Sequence, residues 1–333
     1  MSAIRSTIKD VALAAGVTAG TVSRALRGDP RVIESTRRRI LDAADRLAYR
    51  PNLQARSLQT GKTGALGLSC PSGPWILAHP YFAPLHAGLT AAAAEDSVRV
   101  ILYTPPSNGH LERNASATRV REMLDGRVDG SVIYQAQELA PETISQLQEM
   151  GLAVVLMNTD EEIPGFHQML SGSEQRSRET LRWAHELGVR RMAVLGLSQG
   201  TPYNQVVRLG VESARLPVSA RHVEVGHTDP FDIPALELAL DAALADEPDG
   251  MMFSSDFHLA RYLHRREKGL APRDLPLFAF GGIHASAPVT YPGVHYMETD
   301  LLEAGRKAYG LFKDAQAKKP PRSERMFWSR RPD

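Results

Sequence analysis

Two hydrophobic periodicities divide the chain. Over residues 8–50 apolar positions recur at helical spacing. Ile8, Val11, Ala12 and Ala15 fall at i, i+3, i+4 and i+7, one apolar stripe. Thr7 stands before it with Asp10 three residues on, the arrangement of a capping box. Gly16 can turn the chain with positive φ, and Thr18 then caps a second helix whose inner face is Val22, Ala25 and Leu26. A third helix is predicted over 34–48, with Ile40, Ala43, Ala44 and Leu47 inward and Pro51 closing it. From Ala65 the pattern changes. Short apolar runs at 66–70, 98–103, 130–134, 153–157, 192–195, 250–253 and 277–280 read as strands. Helix-like segments near 83–96, 111–125, 141–150, 174–187, 203–214, 232–246 and 256–268 lie between them. This alternation predicts α/β architecture, with parallel sheets and crossover helices in two doubly wound halves that change over near Ser171. The tail KKPPRSER reads as a polar connector.

The outward positions of the second helix are Ala19, Gly20, Thr21, Ser23, Arg24 and Arg27. A globular core has no use for so small and polar a face, but a DNA major groove does. Arginine makes paired hydrogen bonds to guanine, and Ser or Thr hydroxyls hold phosphates. Charge agrees with this. The net charge of +1 hides a division: residues 1–62 hold 12 Lys/Arg and 5 Asp/Glu, a net of +7, and the remainder a net of −6. A basic head on an acidic body means that the head meets the polyanion. At 333 residues, 43% hydrophobic and 23% charged, the chain suits two or three compact soluble units. The single cysteine, Cys70, excludes an internal disulfide and lies in a strand-like run, as a buried structural thiol does. With no apolar signal region and no run near the ~18 apolar residues of a membrane span, the expected location is cytoplasmic.

KDVALAAGVTAGTVSRALRG, followed by RPNLQARSLQTGKTG, resembles the amino-terminal signature of the lactose-repressor (LacI/GalR) family of bacterial transcription regulators. Helix-turn-helix, third helix and RPNxxARSL hinge occur in order at the family's spacing, which makes the resemblance specific. It implies DNA contacts from Thr7, Thr18, Ala19, Gly20, Thr21, Ser23, Arg24 and Arg27, joined by Tyr49, Asn52, Ala55 and Leu58. It further implies a helix-turn-helix domain over 1–50 and a hinge over 51–62 that becomes helical when two copies meet on DNA. A short isolated helix is marginal in water, so such coupling is physically reasonable. Leu58 would be an apolar wedge in the minor groove, or else would pack only on its symmetry mate. The core, 63–333, would have a periplasmic-binding-protein-like form, with one subdomain of 64–170 and 293–322 and another of 171–292 and 323–333. Three crossovers would join them, with 299–317 returning to the first half and a last strand near 326–328 in the second. The family's usual Ser or Thr cap of the third helix falls here on Ile33. Arg37, Arg38 and Arg39 are either a solvated face or phosphate contacts.

In open α/β sheets ligands sit beyond the carboxyl ends of the strands. Candidates for an effector there are Trp75, His79, Tyr81, Phe82, Tyr134, Asn158, Tyr203, Asn204 and Asp256, the last of which could instead cap a helix. The Asp-Asn pair, the arginine and the later pair of acids by which the family grips hydroxyl-rich ligands fall on Gly172-Ser173, Val207 and Gly281-Gly282, so the ligand is different or absent. Asp160-Glu161-Glu162 reads as a solvated loop. No HExxH, GxSxG or phosphate-cradling loop is present, and no metal or cofactor is implied. The expectation is a DNA-binding regulator and not an enzyme. It would act as a repressor, a homodimer or tetramer on a pseudo-palindromic double-stranded operator, controlled by a small molecule such as a carbohydrate derivative. The alternative is a regulator whose core has lost sugar-type effectors and serves dimerisation or protein contacts.

Overall fold

The computed structural model describes residues 6–50, 61–69, 81–103, 127–134, 139–196, 210–225 apart from 211 and 213, 233–254, 256–282 and 291–331. The chain divides into two compact units, Met1–Thr63 and Gly64–Asp333.

Among its described residues the first unit has three helices: α1 (Ile8–Ala14), α2 (Ala19–Leu26) and α3 (Glu34–Arg46). Val11, Val22 and Ile40, one from each helix, are fully buried, with Ala12, Ala15, Ala25, Val32, Ala43 and Ala44 filling the space around them. Each of the three large side chains contributes about 1.5–3 kcal/mol of burial. That is a thin core for so short a unit, so helix ends carry much of its geometry. Thr7 N–H donates to Asp10 Oδ2 at 2.7 Å, and Thr18 Oγ1 accepts from Thr21 N–H at 3.2 Å. Between them Gly16 turns at φ +61°. The start of α3 is bare: Ile33 occupies the cap position and makes no side-chain bond there.

The second unit holds two six-stranded sheets. The first contains β1 (Ala65–Ser69), β2 (Arg99–Tyr103), β3 (Gly130–Tyr134), β4 (Ala153–Thr159), β5 (His167–Leu170) and β11 (Ser323–Arg325), in the order β11-β5-β4-β3-β1-β2. The second contains β6 (Arg191–Gly196), β7 (Ser219–Glu224), β8 (Gly250–Phe253), β9 (Leu277–Gly282), β10 (Val294–Thr299) and β12 (Ser329–Arg330), in the order β12-β10-β9-β8-β6-β7. All pairings are parallel except β10 with β12. Central strands β1, β3 and β8 are buried along their whole length, as a parallel sheet covered on both faces requires. Around the sheets lie α4 (Phe82–Glu95), α5 (Pro141–Glu149), α6 (Ser173–Glu186), α7 (Ile233–Leu244), α8 (Asp256–Glu267) and α9 (Leu301–Gln316). Helices α4 and α9 pack with their backbones almost touching. A Cβ at Gly88 would stand 1.9 Å from the Leu302 carbonyl oxygen, and one at Gly305 would stand 2.1 Å from that of Leu85.

Three expectations need correction. Val294–Thr299 is a strand of the second sheet and Ser323–Arg325 a strand of the first, so 293–322 and 323–333 do not each stay with one half. The segment expected as the last strand, 326–328, is the link between β11 and β12. The polar KKPPRSER tail contributes β11, which pairs with β5 from Gln168 to Leu170. Strands β5, β7 and β10 carry no long apolar run. In β5 the Gln168 side chain bonds both the N–H and the carbonyl of Ile163, five residues earlier, at 2.8 Å. The helices expected at 111–125 and over most of 203–214 lie outside the described residues, as does Cys70.

Candidate nucleic-acid interface and core site

The outward side of α2 is built by its small inward side. Because Val22 and Ala25 point into the core, Thr18, Gly20, Arg24 and Arg27 are exposed, while Thr21 and Ser23 are half-buried. Ala19 differs from expectation: it leans on the core of the unit. Thr21 Oγ1 bonds Thr18 Oγ1 at 2.9 Å. Each arginine lies back along the helix, with Arg24 Nε donating to the Gly20 carbonyl at 3.4 Å and Arg27 Nε to that of Ser23 at 3.1 Å. This leaves their Nη groups without a partner among the described residues. Thr7 is exposed, and its two donors on Asp10 hold that carboxyl below its usual range, the backbone bond first. Tyr49 packs half-buried against the same core, and burial raises its phenol pKa. Asn52, Ala55 and Leu58 lie outside the described residues.

Of the basic run on α3, Arg37 is neither a free solvated charge nor a side chain held toward solvent. Its Nη1 donates to the Ala25 carbonyl at 2.9 Å and its Nη2 to the Asp29 carbonyl at 2.7 Å. Arg38 and Arg39 are exposed. Nearby, Arg31 holds the Asp29 carboxyl far below its usual range through side-chain and backbone bonds.

The core site lies where the chain passes between the sheets, at 171–172, at Asp300 and over 326–328. The first and third of these passages are fastened together. Trp328 Nε1 donates to the Ser171 carbonyl at 2.8 Å, and Gln175 exchanges bonds with the Trp328 backbone at 3.1 and 3.3 Å. Gly172 lies between, at φ +68°, with a notional Cβ 2.4 Å from the Met326 carbonyl oxygen. Any side chain there would collide with backbone.

Around this joint stand Ser171, Ser173, Asp160 and Arg176. Ser171 Oγ bonds Asp160 Oδ1, and the two serine hydroxyls are 2.8 Å apart. Arg176 is 3% exposed, and its guanidinium carbon lies 4.0 Å from the Phe280 ring centroid and 4.5 Å from that of Trp328. Burial raises the Asp160 pKa, opposed by its serine bonds and by the charge of Arg176. The acidic loop is therefore anchored at Asp160, while Glu161 and Glu162 are exposed. None of these residues was among the sequence candidates, although Arg176 had a legible signal. It shares the i, i+3, i+4 face of α6 with Ser173, Ser177, Thr180, Leu181 and Ala184, all buried.

Of the sequence candidates, Tyr81 and Asn158 come together: Tyr81 Oη donates to Asn158 Oδ1 at 2.6 Å. Tyr81 is half-buried and stacks on Trp328 at 6.2 Å and 8°. Asn158 sits at φ +61° beside an irregularity of the β4–β5 register, a conformation that asparagine tolerates better than most residues. Phe82 and Tyr134 are corrected to core. They are 5% and 0% exposed and meet edge to face at 5.8 Å, and His86 also meets Tyr134 edge to face, at 5.1 Å. Asp256 opens α8. Trp75, His79, Tyr203 and Asn204 lie outside the described residues. No helix among the described residues is long and apolar enough to cross a membrane.

A helix-turn-helix unit with an exposed basic reading face, followed by a core of two parallel sheets joined by three passages, defines a DNA-binding transcription regulator with a periplasmic-binding-protein-like core. Residues 7–52 match the family model of bacterial regulatory proteins, lacI family. The chain is 26% identical to catabolite control protein A of Priestia megaterium over 291 residues, 85% of this chain and 84% of that one. It is 28% identical, over the same shares, to the probable HTH-type transcriptional repressor ExuR of Bacillus subtilis (strain 168). Among solved structures, the lac repressor dimer bound to operator and the anti-inducer ONPF has a TM-score of 0.76 at 18% identity, covering 98% of each chain. A complex of the transcriptional regulator CelR with cellobiose has a TM-score of 0.63 at 21% identity, covering 98% of this chain and 99% of that one.

Proposed function

We propose that this regulator represses transcription as a homodimer in the cytoplasm, without catalysis of its own, by setting the exposed face of α2 into the major groove at each half of a pseudo-palindromic operator. The observation that carries the reading is that face: Thr18, Gly20, Arg24 and Arg27 exposed side by side on a segment with a net charge of +7. Thr7, Thr21, Ser23 and Tyr49 flank it, with phosphates as their natural partners. Ala19 contributes contact to a base methyl rather than a hydrogen bond. Residues 51–62 act as the hinge, where Asn52 and Ala55 approach the backbone and Leu58 wedges the operator centre. Enrichment of duplexes from a randomised pool by the full chain tests this. A two-fold symmetric consensus is the expected result, and no enrichment, or an asymmetric single site, sinks it.

In the core we propose a small-molecule site between the two sheets, with Tyr81 and Asn158 at one wall and Trp75, His79, Tyr203, Asn204 and Asp256 as further contacts. Its position follows from the rule that ligands sit past the carboxyl ends of parallel strands, and the cellobiose complex of the CelR neighbour makes a carbohydrate derivative the first class to try. Free monosaccharides suit it poorly. Gly172 has no room for an acid, and Arg176 is already stacked on Phe280 and Trp328. These same features favour a second reading, a core without any sugar-type effector. Calorimetry with a monosaccharide panel and a disaccharide panel separates the readings: heat from disaccharides alone supports the first, silence from both supports the second, and saturable micromolar binding of a monosaccharide overturns both.

A further inference from the structure

Helix α2 is short and thinly anchored. It spans eight residues, about 12 Å, and only Val22 and Ala25 of it are fully buried. A tilt of about 10° about its C-terminal end would carry its N-terminal tip roughly 2 Å. A base contact works over a donor–acceptor window of only about half an ångström, so something must hold the tilt. The C-terminal end of α2 is closed by a paired turn: Gly28 N–H donates to the Ala25 carbonyl at 3.0 Å and Asp29 N–H to that of Arg24 at 3.1 Å, with Gly28 at φ +74°. Onto this turn reaches Arg37 from α3, with Nη1 on the Ala25 carbonyl and Nη2 on the Asp29 carbonyl. One planar fork thus joins the last turn of α2, and the closing turn that follows it at Asp29, to the helix that α2 packs against. Its Nε lies 3.6 Å from the Glu34 carboxylate, which aims the fork along α3.

Resting on the proposed reading role of α2, we propose that Arg37 is a positioning residue for base recognition, and not a phosphate contact. The two roles make opposite forecasts for a change that keeps the charge. A lysine holds a phosphate as a point charge, but it cannot present two coplanar donors to two carbonyls.

The test measures binding of the full-length wild type, Arg37→Lys and Arg37→Ala across a salt series. One probe is the duplex that the wild type enriches from a randomised pool, and the other is an unrelated duplex of equal length. The expected result is that both variants bind the enriched duplex about tenfold more weakly. Affinity of Arg37→Lys for the unrelated duplex, and its salt slope there, stay at wild-type values. In the free protein the amides of Gly28 and Asp29 exchange faster in Arg37→Lys. Far-ultraviolet circular dichroism confirms that the variants keep their helices, and if Arg37→Ala does not, Arg37→Lys alone carries the test. Wild-type binding of the enriched duplex by Arg37→Lys overturns the proposal. Equal weakening on both duplexes by Arg37→Ala, with a salt slope lower by about one and normal behaviour of Arg37→Lys, overturns it too. A wild type that enriches no duplex overturns the reading role of α2 itself, and this inference with it.

Discussion

Arg24 and Arg37 carry the same charge to different ends, and only their neighbours tell them apart. Arg24 is exposed with its Nε on the Gly20 carbonyl, whereas the two Nη atoms of Arg37 are committed to the carbonyls of Ala25 in α2 and Asp29 in the turn after it. Arg24→Ala should therefore leave the fold intact and relax the preference for one G·C pair per half-site, at a cost of about 1–3 kcal/mol. Sequence selection with the variant checks this, and an unchanged profile would show that Arg24 touches backbone only. His86 is a second residue whose environment decides its chemistry. Buried beside Tyr134, its pKa falls from 6.5 to about 4 by loss of solvation. Above pH 6.5 the imidazole is neutral in folded and unfolded chains alike. Between 6.5 and about 4 the unfolded chain takes the proton first, so this contribution to stability is lost as pH falls through that window. Urea unfolding of the full chain at about pH 7.5 and about pH 4.5 should show a smaller acid loss in His86→Gln than in the wild type. An equal loss in both would assign the effect elsewhere.

Among the elements, the three amino-terminal helices were legible because each is short, amphipathic and bounded by its own capping chemistry. The Thr7–Asp10 and Thr18–Thr21 bonds are local, so sequence spacing alone predicts them. The exception is the start of α3, where Ile33 is 68% exposed and caps nothing. Ile33→Ser supplies the missing acceptor and gives up little burial, so it should stabilise the unit by about 0.5–2 kcal/mol. A urea midpoint unchanged or lowered in the variant would contradict this. The strands of the core divide by burial. Those running as apolar segments, such as β3 and β8, were placed to the residue, while β5, β7 and β10 were missed because polar residues interrupt them and their place is set by backbone pairing with other strands. The Gln168 N–H donates to the Arg322 carbonyl, and β7 is an edge strand pairing β6 alone.

At the scale of the whole molecule, charge is segregated: a net of +7 lies on residues 1–62 and −6 on the rest. DNA affinity should then come almost wholly from the amino-terminal segment and fall steeply with salt, on the order of 10³-fold or more between 50 and 200 mM for six or more phosphate contacts. Titration of the full chain on its enriched duplex over a salt series measures the slope, and affinity indifferent to salt would refute the electrostatic part of the reading. The core answers to a different constraint. Its passages at 171–172 and 326–328 are bonded to each other through Trp328, Ser171 and Gln175, so the two halves are joined by a shared seam as well as by covalent connection.

The sequence by itself determined what depends on near neighbours: the helix-turn-helix and its caps, the polar face of α2, the alternation of central strands and helices, and the charge division. Each is written within a few turns of chain, where periodicity and capping spacing act. The tertiary structure alone decided what depends on distant partners. It took Tyr134 and Phe82 into the core, because a residue at a strand end or helix start faces whichever layer packs there. It exchanged β10 and β11 between the halves, because strand order is set by pairing and not by hydropathy. It buried Arg176 between Phe280 and Trp328, on a helix face whose periodicity shows that it points inward but not what it meets there. It also turned Arg37 from one member of a basic run into a brace, because two backbone carbonyls on the neighbouring turn happen to lie within reach of its fork.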